Sequence, residues 1–172
     1  EYVGPTIGNE GVTFIAVNQF DVWDLNAYEG FNMTQLKFYP THQGTGAEAI
    51  FTLVIYENDQ LVYSQPITNS TMNNWNIITL DTPYEIDATK ILRFGLQIEH
   101  SADDAPILID YGPGVAGKGD IYSEDGGLSW NTLESQGFYG SWAISGVVIN
   151  PIAQSKVNLE GDIVGYGIYR DG

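Results

Sequence analysis

In the stretch ILRFGLQIE, Leu92, Phe94, Leu96 and Ile98 fall on one face of an extended chain. Arg93, Gly95, Gln97 and Glu99 fall on the other. A period of two predicts a strand with one buried face. The stretch AIFTLVIYE is apolar on both faces, with Phe51, Leu53 and Ile55 on one side and Ile50, Val54 and Tyr56 on the other. That pattern predicts an interior strand, with the core on one side and a second layer or an aromatic cover outside. Asn58, Asp59 and Gln60 separate this run from LVYSQ, which reads as a hairpin. Further strands are predicted at Val12–Val17, Thr34–Tyr39, Trp75–Leu80, Ile107–Asp110, Asp120–Ser123, Ser129–Leu133, Trp142–Ile149 and Lys156–Glu160. Turn clusters separate them: GTG at 44–46, SADDAP at 101–106 and GPGVAGKG at 112–119. The one helical candidate is DVWDLNAYEG, where Asp21 or Asp24 caps a turn or two and Gly30 ends it. Many short strands without long helical periods predict an all-β antiparallel sandwich.

Composition agrees and narrows the partners. The 172 residues suit one domain, or one domain and a fragment of another. Eleven Tyr, seven Phe, four Trp and 20 Gly favour strands and tight turns. Six Lys plus Arg against 22 Asp plus Glu give a net charge of −16. Phosphate backbones repel such a surface, so nucleic acid is excluded as a partner, and anionic membrane surfaces are disfavoured. No apolar run approaches the roughly 18 residues of a membrane helix, so no membrane insertion is expected. The absence of cysteine excludes a disulfide framework, a thiol nucleophile and Cys-based metal sites. The pattern changes at Asn150-Pro151, which reads as a linker. Residues 1–150 are read as the sandwich, and 151–172 as the linker and first strands of a following module in a chain that continues.

The stretch SEDGGLSW, Ser123 to Trp130, resembles the Asp-box of sialidases and other β-propeller glycosidases. Those enzymes carry one copy per blade, whereas this chain has a single copy. Each signature residue also has a turn-building role. Asp125 and Ser123 bond nearby amides, Gly126 and Gly127 tolerate positive φ, and Trp130 packs under the turn. The motif is read as a turn. His42 and His100 lack a second His at ligand spacing and read as surface residues, and no G-x-S-x-G frames a nucleophile. The acids lie mostly in turns and at strand ends, so no catalytic residue is assigned and the chain is not read as an enzyme. Structural Ca²⁺ is a further expectation, because carboxylates cluster in loops; Asp103, Asp104, Asp120 and Glu124 are its candidate ligands. Among the aromatics, Trp75 and Trp142 open strands and are expected in the core, whereas Trp23, Trp130 and Tyr28 offer further faces. Phe138 and Tyr139, in QGFYG, are expected on an exposed loop and, with Tyr122, are the candidate ligand-binding residues.

Several phrases, in order, resemble one family. FDVWDLNAYEGFNMTQLKFYP is similar to the opening of the gingipain adhesin, or cleaved-adhesin-like, jelly-roll domain. LVYSQPITNSTMNNWNIITLDTPYEIDATKILRFGLQIE resembles its middle, and DYGPGVAGKGDIYSEDGGLSW with GSWAISGVV its close. These phrases cover about residues 12–149, and VGYGIYRDG resembles the first strand of a fibronectin III-like or Ig-like module. Ser141 departs from the Asn that usually precedes the Trp, and the family's calcium ligands do not map one by one. The resemblance implies a galactose-binding-like jelly roll serving as a non-catalytic module of an exported bacterial surface protein. Its implied partners are a host protein or glycan and neighbouring domains of the same chain. A structural spacer, or a carbohydrate-binding accessory domain of a surface protease or glycoside hydrolase, is the alternative.

Overall fold

A computed structural model describes residues 13–44, 46–101, 104–112, 114–151 and 166–168. The strands are β1 (Thr13–Phe20), β2 (Asn32–Phe38), β3 (Ile50–Glu57), β4 (Gln60–Ile67), β5 (Asn76–Glu85), β6 (Leu92–Glu99), β7 (Ile109–Asp110), β8 (Ile121–Ser123), β9 (Asn131–Thr132), β10 (Ser141–Trp142), β11 (Ile144–Ile149) and β12 (Tyr166–Ile168). They form a six-stranded sheet in the order β4-β3-β6-β1-β8-β9 and a four-stranded sheet in the order β12-β11-β2-β5, with β7 and β10 as a separate pair. Every pairing is antiparallel. The described chain is therefore an all-β antiparallel sandwich. The expected helical piece is one short helix, α1 (Val22–Leu25), continued by a 3-10 turn at Asn26–Tyr28. Asp24 Oδ2 accepts the Asp21 N–H at 2.9 Å at its start. Gly30 follows at φ +70°. The strand expected at Lys156–Glu160 lies outside the described residues. Within the expected following module, β12 pairs with β11.

Alternation builds the core. Leu92, Phe94, Leu96 and Ile98 of β6, Phe51, Leu53 and Ile55 of β3, and Phe14 and Ala16 of β1 all face inward. From the other sheet they meet Met33, Leu36 and Phe38 of β2, Leu80 of β5 and Val148 of β11. Leu or Ile side chains buried to this degree contribute roughly 1.5–3 kcal/mol each. On the side where β4 and β5 are the edges, Gln65 bridges the sheets. Its Nε2 donates to the Thr79 carbonyl at 3.1 Å, and its Oε1 accepts from Asp81 N–H at 2.9 Å and from the Tyr63 hydroxyl at 2.6 Å.

The six-stranded sheet is apolar on its outer face as well. Ile15, Val17, Val54, Tyr56 and Ile121 form a second cluster there, with Trp130 against it. This is the aromatic cover that the two-sided β3 demanded, although Ile50 is exposed. The Asp-box turn supplies the cover. Ser123 Oγ accepts the Gly127 N–H at 2.8 Å, and Asp125 Oδ1 accepts from Leu128 and Ser129 N–H at 3.1 and 2.9 Å. With the Ser129 hydroxyl on Oδ2 at 2.5 Å and Ser123 donating to Oδ1, the Asp125 carboxyl is held down to about 2. Gly127, at φ +92°, lies against the Tyr56 ring, where a Cβ would come within 2.8 Å of the ring edge. Arg93, read from alternation as a solvent-facing residue, is 8% exposed. Its guanidinium lies 4.8 Å from the Trp130 ring and donates to Gln19 Oε1 at 2.7 Å, to Asp59 Oδ1 at 2.9 Å and to the Asn58 carbonyl. A buried cation is tolerated because it is paired and hydrogen-bonded.

Gly95 of β6 lies opposite Val17 of β1. A Cβ on Gly95 would penetrate the Ala16 carbonyl oxygen and stand 2.8 Å from Val17 Cα, so backbone would have to move. Gly95→Ala should destabilise the fold by about 3 kcal/mol. In a chain of this length that is a fall of about 6–12 °C in melting midpoint. A thermal melt matching the parent protein would contradict this packing.

Candidate functional site

At one corner the two sheets are laced together by backbone. Tyr39 N–H donates to Ala143 O at 3.1 Å, Ala143 N–H to Leu108 O at 2.9 Å, and Leu108 N–H to Tyr39 O at 3.1 Å. Trp142 N–H donates to Gly119 O at 2.8 Å and its indole Nε1–H to Ile121 O at 2.9 Å, so β10 reaches the strand end of β8. The 111–119 loop is tied to β1 by Gln19 N–H on Lys118 O at 2.7 Å. Between these elements lies an open groove of about 1400 Å³. Its lining includes Asn18, Tyr39, Gln43, Trp75, Asp110 and Tyr111.

One wall is an ordered aromatic surface. Asn73 adopts φ +56°, a conformation Asn accepts more readily than most residues. Its N–H donates to Pro40 O at 2.8 Å, and its carbonyl accepts from the Tyr39 hydroxyl at 2.6 Å. Asn76 closes the loop, its Oδ1 accepting Thr71 N–H at 2.7 Å and its Nδ2 donating to Thr71 and Asn74 carbonyls at 2.9 Å. Trp75 is thereby presented to solvent, 46% exposed, with the Tyr39 ring edge-on at 5.6 Å and Lys37 Nζ 4.6 Å from its centroid. Trp75, expected in the core, therefore stands at the surface, because an Asn-built loop and not a strand carries it. Trp142 is buried as expected, packed near Phe14.

The floor is polar. Asn18 Nδ2 donates to Ile144 O at 2.8 Å, whereas its buried Oδ1 has no hydrogen-bond partner. Beside it Gly119 has no side chain; a Cβ there would stand 2.6 Å from Ser141 Oγ and 3.7 Å from Asn18 Oδ1. Among the described lining residues the one carboxylate is Asp110, whose Oδ1 accepts Gly112 N–H at 2.9 Å.

Asp104 fixes the segment that brings Thr41 and Gln43 to the rim. The Asp104 side chain is fully buried, and its Oδ1 accepts Gln43 and Gly44 N–H at 2.8 and 3.1 Å. Its Oδ2 lies 3.0 Å from His42 Nδ1. Burial pushes the Asp104 carboxyl up, but these donors outweigh it and leave it below the ordinary carboxylate value. The bond to Asp104 raises the His42 imidazole above 6.5, burial opposing.

The other expected residues are dispersed. Tyr122 is a correction: at 2% exposure it belongs to the main core, where no ligand reaches it. Phe138 is partly buried against that core. Tyr139 is exposed, one residue before Gly140, which abuts Asp110 and Gly114 of the groove. His100, expected at the surface, is buried edge-on to Phe14 at 5.5 Å, because it continues the inward-facing parity of Leu96 and Ile98 one step past the end of β6.

The calcium quartet does not assemble among the described residues. Asp103 lies outside them, both oxygens of Asp104 already face N–H donors, and Glu124 is exposed on the Asp-box turn. Asp120 is buried, with Oδ1 accepting Gly117 and Lys118 N–H at 2.7 and 3.2 Å. Donor hydrogens directed at a carboxylate oppose a cation on the same lone pairs, and no group of three or more His, Cys, Asp or Glu side chains converges among the described residues.

Compared with protein-family models, with curated proteins and with solved structures, the chain matches none of them.

Because the folded His42 value is raised, its contribution is complete below pH 6.5 and lost as pH rises through the folded value. The melting midpoint should fall across that window, and His42→Gln, which keeps a donor but does not titrate, should flatten the fall. Equal slopes in both proteins would refute the clamp.

Proposed function

We propose that this chain is a non-catalytic binding module that engages its ligand in the corner groove. The observation that carries the reading is an exposed, prearranged Trp75 on the wall of an open groove whose lining also holds the polar side chains of Thr41, Gln43 and Ser141. Ligand sites combine apolar ring surface with a few convergent polar groups, and prearrangement lowers the entropy of binding. Hydrolysis of a glycoside uses two carboxyl groups about 5–10 Å apart, whereas Asp110 is the one carboxylate among the described lining residues. The Asp-box turn lies over the outer face of the other sheet, through Tyr56 and Trp130, with its carboxylate taken up by its own loop.

The resemblance of the ordered phrases from FDVWDLNAYEG to GSWAISGVV to the gingipain-adhesin type of jelly roll supports an exported bacterial surface protein as the setting. The net charge of −16 fits a soluble module of such a protein. In that setting the ligand is a host protein or a glycan, and the loops at the groove carry recognition on a rigid scaffold. A structural spacer is the rival reading, and it predicts no ligand at all.

The chain should give a signal against a broad panel of glycans and host-matrix proteins. Trp75→Ala with Tyr111→Ala should abolish it while shifting stability by no more than about 0.5 kcal/mol per surface site. Silence across the whole panel would favour the spacer. Turnover of a fluorogenic glycoside, lost on Asp110→Asn, would replace binding with catalysis.

A further inference from the structure

Resting on the binding reading, we infer that the groove takes a neutral, hydroxyl-rich saccharide chain. The first ground is charge. The protein carries 22 acids and six Lys plus Arg, yet the described lining holds only Asp110 and Lys37. Lys37 is engaged over the Trp75 ring. An anionic glycan would have to approach a strongly negative molecule to reach one engaged cation. A cationic ligand would find more acid elsewhere on the surface.

The second ground is shape and surface type. A pyranose has an apolar C–H face and a polar rim of hydroxyls. Trp75, Tyr39 and Tyr111 offer ring faces and edges for the first, and Thr41, Gln43 and Ser141 offer polar side chains for the second. At about 1400 Å³ and open, the groove exceeds the roughly 300–1,000 Å³ of a small-ligand pocket and suits several linked sugars.

The test is calorimetric titration of the 172-residue chain with neutral gluco-, manno- and xylo-oligosaccharides, with their O-methylated forms, and with sialylated and sulfated oligosaccharides. A neutral oligosaccharide should bind, with little change in affinity as salt is raised, since no ion pair is broken. O-methylation should remove binding. Trp75→Ala and, independently, Tyr111→Ala should each weaken it about ten-fold or more, with thermal melts confirming that both variants fold. Binding confined to sialylated or sulfated chains and lost in the same variants would overturn the neutral class while leaving the groove as a binding site. No binding by any of these sugars would overturn the inference while leaving a host protein as the groove's ligand, and binding of a neutral sugar that ignores both variants would overturn the inference and remove the groove reading with it.

Discussion

Trp142 is the residue on which the corner depends. Its backbone N–H holds Gly119, its indole N–H holds Ile121, and its ring packs near Phe14 in the core. The next residue, Ala143, exchanges backbone bonds with Tyr39 and Leu108. One side chain and two peptide groups therefore set the distance between the six-stranded sheet and the end of β2. The groove exists because these bonds fix its walls while leaving the space between them unfilled. A buried indole N–H without its acceptor costs about 1–3 kcal/mol, so the arrangement is strongly specified.

The surroundings keep that space rigid. Asn74 and Asn76 replace strand hydrogen bonds with side-chain bonds, and Asn73 turns the backbone at positive φ, so that Trp75 is held outward. A few residues beyond Pro40 the buried Asp104 gathers the amides of Gln43 and Gly44 with the His42 ring. Both devices use short polar side chains to order loops that carry little apolar surface. The heavy negative charge of the molecule is meanwhile kept out of the groove, where Asp110 is the one carboxylate among the described lining residues. Stability and recognition are thus assigned to different parts: the core to the alternating strands, the contact surface to the loops.

Much of the sandwich was legible in the sequence. Period-two alternation in β6 and the two-sided apolar run in β3 predicted the core and the covered outer face, because strand burial writes itself as alternation. The Asp-box read correctly as a turn, since every signature residue has a backbone bond or a ring contact to make. Ligand-facing positions were less legible. Trp75 sits at the edge of a strand-like run, and only the four Asn in NSTMNNWN hint that a loop presents it. Ile121, Tyr122 and Ser123 of β8 are all buried, so no alternation marks the inward position of Tyr122, and its burial follows from the β1–β8 register. Asn18 continues a buried strand and gives no local sign that its oxygen lacks a partner. Arg93 looked solvated because alternation cannot show that Trp130 folds over it from a distant turn.

The most direct measurement of the central claim is a two-dimensional NMR titration that follows the four indole N–H signals and the Asn side-chain amides as a neutral oligosaccharide is added. The account predicts shifts at the Trp75 indole and the Asn18 amide, with Trp23 and Trp130 unmoved. Shifts that spare Trp75 and Asn18 and cluster instead at the Asp-box turn or on α1 would contradict it.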